Sequence, residues 1–221
     1  MKISNRLKEL SSLVEDNSNI IDVGCDHALL DIYLYQTKKN ISIEASDINK
    51  KPLEGAKENL KKYNLENKIK LSLSNGIENI NNNIDTIIIS GMGTSNILNI
   101  IFKDKTKLTN IKNIIISTNN DYYLLRKTFI KNGYYIENEI IILENNKFYP
   151  IILFKKGYKK YNKISLKYGP ILLNNKSDIF IKYLEKEKEK LIKINNNLSN
   201  KYIIKKIKNK LEIKKLVKII N

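Results

Sequence analysis

Residues 20–34 read IIDVGCDHALLDIYL, and this stretch decides the fold that we expect for the whole chain. Ile20 to Val23 has the composition of a buried strand, and Gly24 follows it as a tight turn. Ala28 to Tyr35 is apolar nearly all round, which predicts a buried helix. A strand, a glycine turn and a helix in this order form the layout of a nucleotide-cofactor site. The sequence therefore predicts a cofactor at the carboxyl end of this first strand.

Strands and helices alternate along the chain from its start to residue 132. Apolar runs predict further strands at 41–45, 69–73, 84–89 and 114–116, and helical spacing predicts helices at 3–14, 51–63, 95–102 and 121–132. Such alternation is typical of a parallel sheet with helices on both faces. The last two strands, 134–143 and 148–154, leave no room for a helix between them and so form an antiparallel hairpin. We predict an α/β fold with a Rossmann-like, mostly parallel sheet and a C-terminal antiparallel hairpin, which resembles class I methyltransferases.

Charge is distributed unevenly between the two ends of the chain. Residues 1–154 contain 20 Lys and Arg against 18 Asp and Glu, whereas residues 155–221 contain 20 Lys against 5 acidic residues. A general lysine bias of the genome would raise both parts alike. The segregation therefore indicates that the C-terminal part meets a polyanion, either a nucleic acid or an anionic surface.

Two helical runs end the chain, at 177–195 and 201–220, with a short asparagine-rich break between them. Their apolar residues recur every three to four positions, and lysines occupy the other faces. This pattern predicts an α-helical hairpin that resembles a coiled coil. We divide the chain into a cofactor-binding domain at 1–156 and a basic helical extension at 157–221 that contacts the nucleic acid.

Several classes of protein are excluded by composition. The chain of 221 residues has one cysteine, so it has no internal disulfide, as is usual in a reducing compartment. It has no apolar run of 18 residues and no signal-peptide core at its start. No spacing of His, Cys and acidic residues suggests a metal site. We expect a cytoplasmic monomer without a membrane partner or a bound metal.

The first turn discriminates between two kinds of cofactor. A dinucleotide fingerprint has a second glycine two residues after the first, so that a pyrophosphate can approach the helix, but this chain has Asp26 there. A carboxylate at that position repels pyrophosphate and suits a cationic sulfonium. Asp22, at the end of the strand, can accept hydrogen bonds from an ammonium group. The turn therefore favours S-adenosylmethionine over NAD.

The ends of the next two predicted strands add two candidate cofactor contacts. Asp47 lies 25 residues after Asp22, where an acidic side chain can bind both ribose hydroxyls. Asn75 ends the third strand, where its amide can contact the adenine ring, and the alternative is an ordinary Asn-Gly turn. Because parallel strands end at one edge of the sheet, these residues are expected to share one site.

The segment Ser90–Thr94 follows the fourth strand and lacks the D/N/S-P-P-Y/F motif of exocyclic-amine methyltransferases. A ring nitrogen, unlike an exocyclic amine, already has a lone pair and requires less proton transfer. His27 is the single histidine and could act as a general base. We prefer the alternative that it orients the turn. Cys25 is interpreted as a small apolar filler.

Six segments of the chain form a familiar combination. They are NRL at 5–7, DVGCDHALLDIYL at 22–34, SDINKKPLEGAKENL at 46–60, NGIENI at 75–80, SGMGT at 90–94 and LRKTFIKNGYYIENEIIILENNKFYPII at 125–152. Together with the basic helical extension they resemble the bacterial tRNA (adenine-22-N1)-methyltransferases, the TrmK family. The chain departs from that family's pattern at Thr94, where a glycine is usual, and at Asn75, where an acid is common. A third departure is the loss of a proline near Ser117 and Thr118.

The resemblance implies methyl transfer from S-adenosylmethionine to N1 of an adenine in tRNA, at position 22. The implied cofactor-binding residues are Asp22, Gly24, Cys25, Asp26, His27, Asp47, Ile48, Asn75, Gly76 and Gly91. The implied catalytic residues are Asp26, His27, Gly91, Met92 and Gly93, the last three near the transferring methyl. Candidates for binding the substrate are Arg6, Asn119, Asn120, Arg126 and Tyr149.

Some alternatives stay open at this point. Arg6 and Arg126 are the only arginines, and their paired donors suit either a phosphate or a structural carboxylate. The C-terminal hairpin could pack on itself or dimerise instead of binding RNA. The chain could also methylate adenine in another RNA or in DNA. It could, finally, be a non-catalytic RNA-binding protein that retains a Rossmann-like core.

Overall fold

A seven-stranded sheet forms the centre of the first part of the chain in the computed structural model, which describes residue 1 and residues 3–221. The strands are β1 (Asn19–Val23), β2 (Ser42–Asp47), β3 (Ile69–Leu73), β4 (Thr86–Ser90), β5 (Asn113–Ser117), β6 (Tyr134–Glu144) and β7 (Lys147–Lys156). Their order across the sheet is β3-β2-β1-β4-β5-β7-β6. Strands β1 to β5 are parallel, and β7 runs antiparallel to both β5 and β6. The prediction of a Rossmann-like sheet with one antiparallel hairpin is confirmed.

In the described part of the chain, six α-helices accompany these strands. They are α1 (Asn5–Ser12), α2 (Leu29–Thr37), α3 (Lys50–Lys62), α4 (Thr94–Phe102), α5 (Tyr122–Lys131) and α6 (Lys163–Tyr168). The central strands β4 and β5 each contain three consecutive isoleucines that are fully buried, because helices cover both faces of the sheet. A short 3-10 helix at Lys105–Leu108 and helix α6 were not predicted from the sequence.

The position of the site follows from the strand order. From β1 the chain proceeds to β2 and β3 on one side of the sheet and then to β4 and β5 on the other side. At such a reversal the loops after β1 and β4 diverge and leave a crevice at the carboxyl ends of the strands. The loop at Gly24 and the loop at Gly91 therefore border the same crevice.

The first compact unit ends at Gly169, beyond the predicted domain boundary at 156. The reason is helix α6, which contacts α5. Its last residues are held by Arg126, whose guanidinium donates to the backbone carbonyls of Leu166 and Lys167, at 3.3 Å each. The division of the chain is accordingly 1–169 and 170–221.

The second compact unit, Pro170–Asn221, is helical. It contains α7 (Pro170–Asn175), α8 (Asp178–Asn197), a 3-10 turn (Asn200–Tyr202) and α9 (Ile203–Ile220). Helices α8 and α9 contact each other, as the predicted hairpin requires. Helix α7 was not predicted. Within the described residues, no helix combines the length and apolarity needed to cross a membrane.

Candidate active site

A cavity of about 660 Å³ opens at the carboxyl ends of β1 to β4. Its volume lies in the range of small-molecule sites. All ten residues predicted to bind the cofactor line it: Asp22, Gly24, Cys25, Asp26, His27, Asp47, Ile48, Asn75, Gly76 and Gly91. Two further predicted residues, Arg6 and Met92, also line it. The cavity thus brings together residues that are far apart in the sequence.

The turn after β1 is fixed by β2 and by the loop after β4. The backbone amides of Gly24 and Cys25 both donate to the carbonyl of Ser46, at 2.8 and 3.0 Å. Gly24 has a φ of +79°, and a Cβ there would overlap the methyl group of Met92. Glycine is therefore needed at this position for its conformation and also for the close approach of the two loops.

Two buried carboxyl groups give the cavity its negative character. Asp22 and Asp47 are 4% and 9% exposed. Burial raises the pKa of Asp22 to about 7; a hydrogen bond with Asp31 and the charge of Arg6 oppose the rise, and the charge of Asp47 adds to it. These carboxyl groups would repel a pyrophosphate but fit the ammonium and hydroxyl groups of S-adenosylmethionine.

His27 and Asp26 lie at the mouth of this cavity. The imidazole Nε2 is 3.6 Å from a carboxylate oxygen of Asp26, and both side chains are more than half exposed. The His27 carbonyl accepts a hydrogen bond from Asn59, and its ring lies so close to Gly55 that a Cβ there would overlap it. These contacts fix the turn, in line with the preferred interpretation, and they leave the imidazole accessible.

Cys25 is buried beside the carboxyl groups of Asp22 and Asp31. Burial raises the pKa of its thiol, and the neighbouring carboxyl groups raise it further. The thiol is therefore neutral at physiological pH and is a poor nucleophile. This environment agrees with the interpretation of Cys25 as an apolar filler.

The loop after β4 is held by two asparagines that were predicted to bind the substrate. The Asn119 amide donates to the carbonyl of Gly91, and its backbone amide donates to the carbonyl of Met92 at 3.0 Å. The Asn120 side chain accepts from the backbone amide of Thr94 at 2.9 Å. Neither asparagine lines the cavity. Gly93 does not line it either and precedes helix α4 directly.

Thr94 stands where the family that the sequence resembles usually has glycine. Its hydroxyl group is engaged in hydrogen bonds. It lies 3.0 Å from the hydroxyl of Thr118 and donates to the carbonyl of Asn120 at 2.6 Å. Thr118 itself lies near another departure from the family pattern, the lost proline. The Thr94–Thr118 contact ties the loop after β4 to the end of β5.

Arg6 and Tyr149 form one cluster beside the same loop. The Arg6 guanidinium donates to the hydroxyl of Ser90 and lies 5.4 Å from the centroid of the Tyr149 ring. Its backbone amide donates to Glu144 at 3.4 Å. Arg6 is half-buried and lines the cavity, whereas Tyr149 is half-buried and lies beyond its wall.

Arg126 is buried and paired with a carboxylate, and it is therefore not placed to contact a substrate phosphate as predicted. It is 1% exposed, and its Nε donates to the buried carboxylate of Glu139 at 2.6 Å. The structural carboxylate, which the sequence left as the alternative partner, is the one found. Sequence reasoning could not choose because the partner lies on a different element, strand β6.

Asp31 is a polar residue of the site that sequence reasoning missed. It lies in the first turn of α2, is fully buried, and is close enough to Asp22 that each carboxyl group shifts the pKa of the other. An aspartate within an otherwise apolar helix was the available signal. Asn96 and Asn99 of α4 also line the cavity and were not predicted. Among the described residues, no group of three or more His, Cys, Asp or Glu side chains could hold a metal ion.

Comparisons with known proteins consistently identify methyltransferases as similar to this chain. Residues 3–152 match the family model for a methyltransferase domain. The tRNA (adenine(22)-N(1))-methyltransferase of Bacillus subtilis is 28% identical over 98% of this chain and 97% of its own length. Among solved structures, M. capricolum TrmK in complex with S-adenosyl-homocysteine is 34% identical, with a TM-score of 0.87 over 100% of this chain and 98% of that one. A Streptococcus pneumoniae protein, described as a candidate tRNA (m1A22) methyltransferase and bound to S-adenosyl-L-methionine, is 29% identical, with a TM-score of 0.91 over all of both chains.

Proposed function

This chain belongs to the methyltransferase-domain family, in its tRNA (adenine-22-N1)-methyltransferase branch, and we infer from this premise that it transfers a methyl group from S-adenosylmethionine to N1 of an adenine in tRNA. The observation that carries the proposal is the acidic cavity at the reversal of strand order, which the buried Asp22 and Asp47 line together with Gly24. The target nucleotide is adenine 22, as in the relatives. The enzyme acts as a monomer in the cytoplasm.

Each cavity residue binds the part of the cofactor that its chemistry fits. Asp22 accepts hydrogen bonds from the ammonium group, and Asp47 accepts them from the ribose hydroxyls. Ile48, which is 62% exposed, and Asn75 contact the adenine ring. When bound, S-adenosylmethionine supplies a methyl group on a positively charged sulfur. The backbone turns at Gly24 and Gly91 allow that sulfur to lie between the two loops.

The loop from Gly91 to Gly93 orients the target base for an in-line approach to the methyl group. Its carbonyls at Gly91 and Met92 are already occupied by Asn119, so the loop is held rigidly. N1 of adenine attacks with its own lone pair, the carbon–sulfur bond breaks, and the positive charge passes from sulfur to the base. No proton leaves N1, so bond formation requires no general base, and His27 serves the turn.

The target base must be unstacked to reach this loop. The Arg6–Tyr149 cluster beside Ser90 offers an aromatic face and a cation to the base or to its phosphate. Asn119 and Asn120 support the substrate side by holding the loop. The lysines of the unit 170–221 contact tRNA phosphates, which contributes affinity but no sequence information.

A methylation assay tests the proposal. The purified protein is incubated with labelled S-adenosylmethionine and, separately, with total tRNA, ribosomal RNA and duplex DNA from a strain that lacks the enzyme. We expect label in tRNA alone, recovered as 1-methyladenosine by nucleoside mass spectrometry. Label in ribosomal RNA or DNA alone would support the alternative substrates. Binding of tRNA without any transfer would support the non-catalytic alternative.

A further inference from the structure

We propose that Asp31 is a positioning residue for the cofactor: its carboxyl group stays protonated and donates a hydrogen bond that aims the Asp22 carboxylate at the ammonium group. The proposal rests on the inferred use of S-adenosylmethionine. Asp31 does not itself line the cavity. It acts through Asp22, which does.

The burial of Asp31 is the first observation. Its side chain is 0% exposed in the first turn of α2, between the buried residues Leu30 and Ile32. Apart from its own backbone amide, no donor in the described part of the chain reaches either carboxyl oxygen. An ionised carboxylate without donors in such surroundings would be strongly destabilising. A protonated carboxyl group avoids this, and its O–H then needs an acceptor.

The neighbouring acceptor is the second observation: the carboxyl groups of Asp31 and Asp22 lie close enough that each shifts the pKa of the other, and no other partner satisfies the Asp31 oxygens in the described part of the chain. We infer a hydrogen bond between the two carboxyl groups. Two carboxyl groups can form that bond only when one of them carries a proton. Asp22 lines the open cavity and lies near the charges of Arg6 and Asp47. Asp31 does not line the cavity, and the charged group that shifts its pKa is Asp22. The less solvated group retains the proton, so Asp31 is the donor and Asp22 the ionised acceptor.

This arrangement has a specific consequence for the ligand. The hydrogen bond restricts the Asp22 side chain to one orientation and leaves its negative charge on the side of the cavity. The benefit is confined to the amino-acid end of S-adenosylmethionine, because the adenosine end is bound by other strands. A ligand without an ammonium group should be indifferent to Asp31.

Isothermal titration calorimetry of the full chain with two ligands tests the proposal. The ligands are S-adenosylmethionine and 5′-methylthioadenosine, which lacks the amino-acid moiety. Asp31→Asn keeps a donor toward Asp22, and we expect it to bind S-adenosylmethionine within about threefold of wild type. Asp31→Leu removes the donor, and we expect at least about tenfold weaker binding of S-adenosylmethionine, with 5′-methylthioadenosine changed by less than about threefold. Equal loss of both ligands, or no loss of either, would overturn the proposal.

A second measurement does not depend on the cofactor or on the folding of the leucine variant. The pKa of Asp31 is raised in the native state, by burial first and then by the charge of Asp22. The contribution of Asp31 to native stability is therefore greatest at low pH, and it declines as the pH rises above the pKa that Asp31 has in the unfolded chain. Asparagine does not titrate. We therefore expect the Tm of Asp31→Asn relative to wild type to increase by several degrees between pH 5 and pH 8. A difference that is the same at both pH values would contradict the protonated state of Asp31, whereas failure of wild type to bind S-adenosylmethionine would contradict only the proposed function.

Discussion

The two compact units place their charges in opposite environments. In the unit 1–169, Asp22, Asp47 and the Arg126–Glu139 pair are buried. In the unit 170–221, lysines such as Lys205 lie on exposed helical surface. Buried charges act strongly on single neighbours because little water screens them, whereas exposed lysines act together and are weakened by salt. The comparison suggests that cofactor recognition depends on single residues and that RNA affinity is spread over many.

The buried Arg126–Glu139 pair is expected to give the largest effect. Arg126→Met leaves the carboxylate of Glu139 buried without its guanidinium partner, and we expect the free energy of unfolding to fall by about 3–5 kcal/mol. Denaturant unfolding monitored by circular dichroism measures the change. Lys131→Met, at an exposed position of the same helix, is the control and should alter stability by less than about 0.5 kcal/mol. An Arg126→Met protein with normal stability and weakened tRNA binding would reinstate Arg126 as a substrate residue.

Gly24 provides the second test. Comparing it with Gly133 distinguishes the effect of a positive φ angle, which both glycines have, from the effect of a close neighbouring loop, which Gly24 has. Gly24 and Gly133 have φ angles of +79° and +82°, but only a Cβ at Gly24 would overlap another residue, Met92. Both alanine variants should lose about 1–2 kcal/mol of stability. We expect Gly24→Ala alone to bind S-adenosylmethionine at least about tenfold more weakly, as measured by calorimetry. Equal cofactor affinity in the two variants would show that the contact between the loops is unimportant.

The pH dependence of cofactor binding is the third test. The pKa of Asp22 is about 7 without a ligand, mainly because of burial, and the ammonium group binds the ionised form. The affinity for S-adenosylmethionine should therefore rise with pH up to about 7 and then level off, and it should fall about tenfold per pH unit well below that value. Calorimetry between pH 5.5 and 8.5 measures the profile. Asp22→Asn should bind weakly with no such profile; an unchanged profile in that variant would assign the titration to another group.

The lysines of the second unit should give the smallest effect per residue. Replacing Lys205, Lys208 and Lys214 by Gln removes three exposed charges from helix α9. We expect tRNA affinity to fall about two- to threefold per lysine, and the slope of log K against log salt to become shallower by about 2. Fluorescence anisotropy at several salt concentrations measures both.

A matched control replaces three exposed lysines of the first unit, Lys68, Lys112 and Lys131. This triple variant has the same net charge as the α9 variant. If it weakens tRNA binding as much as the α9 variant does, total charge and not the helical hairpin controls affinity. A larger effect of the α9 variant would support the proposed role of the second unit.

The sequence predicted most of the sheet because its signals are local. Strand β3 begins and ends at the predicted residues 69 and 73, and the isoleucine runs of β4 and β5 are buried as expected. The residues proposed to bind the cofactor were equally easy to identify, since Asp22, Gly24 and Asp47 lie at or directly after the ends of recognisable strands. Parallel strands that end at one edge bring such residues together whatever their separation in the sequence.

The missed features depend on contacts between distant elements. Helix α6 has only six residues, too few for a clear periodicity, although its cap, in which Asn162 accepts from the amide of Ser165 at 2.8 Å, is a local signal. From the sequence alone, Asp31 was treated as part of an apolar helix and given no role, because its neighbour Asp22 lies on another element, β1. Asn119 was expected at the target base, but the carbonyl that it binds belongs to the loop after β4. The roles of Asp31 and Asn119 can be assigned only from the fold, since no local sequence pattern indicates which residue each of them contacts.

The central claim is methyl transfer to one ring nitrogen of one tRNA nucleotide. It is tested most directly with two transcripts of a tRNA that carries adenine at position 22, one unaltered and one with guanine there. After incubation with the enzyme and S-adenosylmethionine, reverse transcription should stop at position 22 of the unaltered transcript, because N1-methylation blocks base pairing, and nucleoside analysis should give 1-methyladenosine. The guanine transcript should give neither. Equal methylation of both transcripts, or a product methylated on the exocyclic amine, would contradict the account.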